Sequence, residues 1–167
     1  CTFKHKLDLM TPALQDNSLA GSRSGNNSKN RVQGVEFSED GTKMFAQMHG
    51  NALRLLEYTL SSPFDLTSTV TLVLTAGINL DGQLSNPMSI RFSNDGKRMF
   101  ITGVTNDKVY QYNLTTAFDV STASYSNNSI DLGTVANGSQ GDPRAIVFNN
   151  DGTKMFTLDS QGDSDVN

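Results

Sequence analysis

FSEDGTKMF at residues 37–45 returns as FSNDGKRMF at 92–100 and as FNNDGTKMF at 148–156. The leading residues Phe37, Phe92 and Phe148 stand 55 and then 56 positions apart. Other landmarks keep step with them. Tyr58 and Leu60 return as Tyr112 and Leu114, PFDLTST at 63–69 returns as AFDVSTA at 117–123, and Pro87 returns as Pro143, each proline five residues before its Phe. A period of this length with several short apolar runs per unit indicates stacked sheets, because one such unit cannot bury its own apolar face.

Within a unit, PMSIRF at 87–92 predicts a strand, SNDG a tight connection and KRMFITGV the returning strand of a hairpin. Glycine takes positive φ without steric cost and the preceding Asp bonds the local backbone, so Asp-Gly suits a short hairpin loop. Asp40, Asp95 and Asp151 are therefore expected to make turns rather than to act as acids. Neighbours along a strand point to opposite faces. Both residues are apolar in Met44-Phe45, Met99-Phe100 and Met155-Phe156, which predicts a strand buried on both sides. The next strand alternates: Tyr110, Tyr112 and Leu114 oppose Gln111 and Asn113, and Leu56, Tyr58 and Leu60 oppose Glu57 and Thr59, so one-sided burial is expected there. A fourth strand is expected in TVTLVL and, on a weaker pattern, in SNNSIDL.

Four strands per unit, with burial falling from the first hairpin outward, predict an all-β chain of β-propeller blades, about three per chain. Approximate unit boundaries are 1–30 (partial), 31–85, 86–141 and 142–167 (partial). The run GSQGDPRAIVFNNDGTKMF resembles the repeat register of the YVTN-, TolB- and NHL-type propellers, and the resemblance extends from about residue 30 onward. It implies propeller blades and, for function, surface and adhesion proteins, phage tail components, scaffolds or lactonases. A closed ring needs about four to eight blades. The 19 residues after Phe148 and the 37 that end at Phe37 together make one period of 56. The ends also look like halves of one blade, since DSDVN matches NDKVY and FKHKLDLMTPALQDNS resembles YQYNLTTAFDVSTA. The expectation is a six-bladed homodimer of two chains, the alternative being a segment of a longer propeller.

The formal net charge is −4 and the Lys and Arg residues are scattered, so no nucleic-acid partner is expected. No apolar run approaches the roughly 20 residues that a membrane-spanning helix requires. Cys1 is the sole cysteine, which excludes an internal disulfide. A lipid-modified mature terminus and a truncation point both fit Cys1, and FKHKL, which follows where a polar tether is usual, favours truncation. The sequons at Asn26, Asn113, Asn127 and Asn137 are no more than a chain this rich in Asn, Ser and Thr produces by chance.

In a propeller the connections into the first strand and between the second and third strands gather on one face at the channel mouth. They supply Asn30, Arg31, Asn86, Asp142 and Arg144 from one set and His49, Asn51, Asn106, Asp107, Asp163 and Asp165 from the other. From these, Arg31, His49, Asn86, Asn106, Asp107, Asp142 and Arg144 are the candidate ligand-binding residues, suited to hydrogen bonding with a glycan or a protein partner. Catalysis needs a positioned acid, base or nucleophile with a partner, and the inventory is thin: His5 and His49, no G-x-S-x-G elbow, and Glu only at 36, 39 and 57. Asp163, Asp165 and Asn167 match the first three oxygen positions of a Ca²⁺ loop, but the Gly and distant Glu such a loop needs are not in the chain. The expectation is a non-enzymatic binding or scaffold module, without a cofactor, on a bacterial or phage surface. The alternative is a metal-assisted lactonase-like hydrolase with its site in the channel.

Overall fold

The computed structural model describes residues 30–50, 54–73, 78, 79, 84, 86–135 and 142–159. They form an all-β structure. β1 (Asn30–Phe37), β2 (Lys43–Gly50), β3 (Arg54–Leu60) and β4 (Val70–Leu72) make an antiparallel meander in that order, and β5 (Ile78–Asn79) pairs with the other end of β3. The second sheet repeats the plan with β6 (Pro87–Phe92), β7 (Arg98–Gly103), β8 (Lys108–Leu114) and β9 (Ala123–Asp131). The third consists of β10 (Pro143–Phe148) and β11 (Met155–Asp159). The only helical segments among the described residues are short turns at Val104–Asn106, Val120–Thr122 and Leu132–Val135. No described helix is long and apolar enough to cross a membrane.

The three hairpins are built alike because each carries the same turn chemistry. Gly41, Gly96 and Gly152 adopt φ of 70°, 67° and 70°, the left-handed region that glycine occupies without a Cβ clash. The carboxylates beside them accept backbone bonds two residues on: Asp40 from Thr42 N at 3.0 Å, Asp95 from Lys97 N at 3.0 Å and Asp151 from Thr153 N at 2.9 Å. The Asp residues are thus turn formers, and these bonds, together with the hydroxyls of Ser38, Ser93 and Thr153, hold all three carboxyls below the usual range. Each first strand also slips register once, at Val32/Gly34, Pro87/Ile90 and Pro143/Ala145, and Pro87 and Pro143 open their strands, where no ladder donor is required.

Sheets meet face to face in chain order. Phe45 packs on Phe92 with ring centroids 4.5 Å apart, and Phe100 packs on Phe148 at 4.8 Å. The core between the first two sheets contains Phe45, Leu55, Ile90, Met99, Ile101, Tyr110, Tyr112 and Val120. Burial there pushes the Tyr112 phenol up to about 12. The other face of the first sheet buries Met44, Ala46, Leu56, Tyr58 and Leu60. Two-sided burial of the second strand therefore holds in full for Met44 and Phe45, at 1% and 0% exposure. Along the chain it weakens: Phe156, the third copy of Phe45, is 50% exposed.

One expectation for the third strand needs correction. Glu57 was placed on a solvent-facing side of β3, yet it is 2% exposed, because the 118–120 turn of the second sheet covers that side. The fourth strands expected in TVTLVL and SNNSIDL are β4 and β9, and β9, from the weaker pattern, is the longer at nine residues. Tyr125 anchors it on Tyr110 and Tyr112, with centroids at 6.0 and 5.7 Å, and a register shift in β8 between Tyr110 and Tyr112 accompanies the left-handed Asn127.

Candidate functional site

The three first strands lie side by side in repeat register. A Cβ on Gly34 of β1 would meet the Met88 carbonyl of β6 at 3.3 Å, and Ser89 Oγ of β6 accepts from Ile146 N of β10 at 3.4 Å. The beginnings of β1, β6 and β10 therefore share one end of the stack, together with the ends of β2, β7 and β11. Arg31 and His49 stand opposite each other in the β1–β2 ladder at this end. Their side chains lie outside the described residues, as do Asn51, Asp163, Asp165 and Asn167, so the Ca²⁺ expectation falls on residues without a described structure.

The other candidates at this end are bound into the fold. Asn86 accepts from Val104 N through its carbonyl at 3.1 Å, and left-handed Asp107 donates its N–H to Val104 O at 3.3 Å while its own carbonyl takes Leu132 N at 2.7 Å. Asn106 Nδ2 donates to the Tyr110 hydroxyl at 2.9 Å. Arg144 Nη2 donates to Asp142 Oδ2 at 2.8 Å, an ion pair across Pro143 that is partly open to solvent. Asn86, Asn106 and Asp107 of the second sheet and Asp142 and Arg144 of the third thus stand at the same end of the stack. Among the described residues no group of three or more His, Cys, Asp or Glu side chains is placed to hold a metal ion.

The structure also assembles a second constellation that inspection of the sequence had not assigned. Lys43 Nζ of β2 donates to Glu57 Oε1 at 2.7 Å and to the Phe118 carbonyl at 2.7 Å, and Glu57 Oε2 accepts Val120 N at 3.0 Å. The pair thereby clamps the turn of the next sheet, both of whose exposed backbone groups would otherwise lose water on burial. A salt bridge between β1 and β6 joins Arg91 to Glu36 nearby in the chain register. The clamped turn is itself unusual. Phe118 has φ of 53° and Phe64, its counterpart, 55°; non-glycine residues in the left-handed region cost roughly 1 kcal/mol or more. Each is held there by its N–H on a glycine carbonyl, Phe64 on Gly41 and Phe118 on Gly96, both at 3.0 Å. The ring then covers that glycine so closely that a Cβ on Gly41 or Gly96 would fall 2.2 or 2.3 Å from it. The signal for this device was the recurrence of F-D-aliphatic-S/T in step with the D-G turn, legible as a landmark but not as a contact.

Two buried groups lack a hydrogen-bond partner among the described residues, the Tyr58 hydroxyl and the Gln47 amide. Gln47 is fully buried between β1 and β3 with both amide atoms unbonded. Its counterpart Thr102 accepts the backbone N–H of Ser89 at 3.0 Å through its hydroxyl.

No protein-family model matches the chain, and no curated protein matches it.

Proposed function

We propose that the chain forms blades of a β-propeller of the YVTN, TolB or NHL type and serves as a non-enzymatic binding or scaffold module on a bacterial or phage surface. The ring is completed by a second copy, and the polar rim formed by Asn86, Asn106, Asp107, Asp142 and Arg144, with Arg31 and His49, receives a glycan or a protein. The observation that carries this is the contact of β1 with β6 and of β6 with β10 while each meander runs outward from its first strand. Wedge-shaped sheets that touch through their first strands meet around an axis, which is the arrangement of blades. The rim residues are hydrogen-bonding types, and none of the described ones is arranged as a nucleophile with its base.

Light scattering with small-angle X-ray scattering tests the assembly: twice the chain mass and a ring-shaped profile are expected, and a well-folded monomer at low concentration overturns the dimer. A glycan array tests the rim. Binding that survives the double change Asp142→Ala and Arg144→Ala places the ligand elsewhere.

A further inference from the structure

We propose that the cleft between the β6–β7 and β10–β11 hairpins is a receptor for one kind of segment, a β-strand that ends in a Phe-Asp-aliphatic-Ser/Thr turn. The proposal rests on the repeat-unit reading, and the occupant is specified by the other two units of the same chain. In the first unit Phe64 lies over Gly41 with its ring 5.7 Å from Phe37; in the second, Phe118 lies over Gly96 at 5.4 Å from Phe92. In the third, Gly152 has the same left-handed φ of 70° and Phe148 occupies the position of Phe37 and Phe92, but no described atom lies within 4 Å of the Cβ position.

What surrounds that seat matches what surrounds Phe118. The aromatic pair Phe100 and Phe148 reproduces Phe45 and Phe92. Arg98 stands where Lys43 stands, a cation able to donate to the carbonyl of the incoming Phe. Gln111 stands where Glu57 stands, and with its Nε2 donating to Asn113 Oδ1 at 3.1 Å its carbonyl oxygen is the acceptor it offers in place of the Glu57 carboxylate. A bond from Asn94 Nδ2 to the Asn150 carbonyl at 2.8 Å fixes the two hairpin tips relative to each other. They enclose a cleft of about 230 Å³ lined by Arg98, Phe100, Phe148, Asp151 and Gly152 among others. Beside it β11 pairs only with β10 among the described residues, so the strand before the turn has a ladder to join, as β3 joins β2 and β8 joins β7. Ring seat, aromatic neighbour, cation and acceptor together select for the turn, whereas the strand edge alone would accept any extended peptide.

The test uses a fluorescent peptide of residues 108–124 titrated into the full chain, at chain concentrations where light scattering reports a monomer. Saturable binding is expected, weakened at least tenfold when the peptide carries Phe118→Ala. The chain variant Gly152→Asn is expected to weaken it by a similar factor, since Asn tolerates the left-handed turn while its Cβ occupies the place of the ring. Circular dichroism confirms that this variant folds, and the Phe118→Ala peptide needs no change in the protein. Absence of binding to the unaltered chain, or binding indifferent to both changes, overturns the proposal. Ring closure is measured separately: a chain that stays monomeric yet discriminates between the two peptides keeps the cleft and loses the dimer.

Discussion

The junction between the first and second sheets and the junction between the second and third are written in nearly the same letters, yet they differ in burial. At the first, Phe45 is completely buried, Glu57 and Lys43 clamp the 118–120 turn, and Phe118 closes the seat at Gly96. At the second, the same aromatic pair forms between Phe100 and Phe148, but no described ring closes the seat at Gly152, and on the far face of the third sheet Phe156, Leu158 and Val147 remain 50%, 63% and 43% exposed. A repeat of this kind draws its stability from its neighbours, so one sequence motif has different energetic weight at different places in the stack.

The sharpest measure of that difference comes from counterparts of the same phenylalanine. Phe45→Ala empties a fully packed site and is expected to cost about 4 kcal/mol, whereas Phe156→Ala is expected to cost less than about 1 kcal/mol in the unassembled chain. Urea unfolding of both variants reads the contrast directly, and equal losses would mean that the third sheet is as well covered as the first. A smaller effect is expected at the clamp. Glu57→Ala leaves Val120 N buried without an acceptor and Lys43 without its partner, a loss of about 3 kcal/mol. Gln111→Ala at the matching position of the second sheet is expected to stay within about 0.5 kcal/mol, and a double cycle of Glu57→Ala with Lys43→Met isolates the coupling of the pair.

The smallest effect is common to all three hairpins and makes no distinction between the junctions. Asp40, Asp95 and Asp151 have carboxyls held below their ordinary value of 3.8 by bonds that exist only when folded. Their contribution is present above that value and is lost as pH falls through the lowered folded values. Thermal midpoints should be flat from neutral pH to about pH 5 and should decline below about pH 4. The triple variant Asp40→Asn, Asp95→Asn and Asp151→Asn retains a carbonyl acceptor in each turn and should flatten that acid limb. A limb of unchanged steepness would assign the acid sensitivity to other carboxylates.

Much of this fold was legible beforehand because its determinants are local. Asp-Gly in step with apolar pairs predicted the three hairpins, and PMSIRF is β6 residue for residue. Among the described candidates, Asn86, Asn106, Asp107, Asp142 and Arg144 fall at one end of the stack, as expected of the connections into each first strand and between the second and third. Glu57 was misjudged for the opposite reason: alternation gives the face of a residue but not what lies against it, and the covering turn comes from more than 60 positions away, with Val120 63 residues on from Glu57. The same holds for Phe64 and Phe118, whose recurrence was visible while the glycines beneath them were read only as turn residues.

The amino-acid order therefore prescribed the hairpins, their period and the alternation of each strand, since these depend on φ preferences and on side-chain polarity over a few residues. Which copy of a repeated letter is buried, which carboxylate meets a cation and which glycine carries a ring followed from how one sheet lies on the next. Those outcomes come from contacts between units about 55 residues apart, and pattern along the chain carries no information on what stands across the interface.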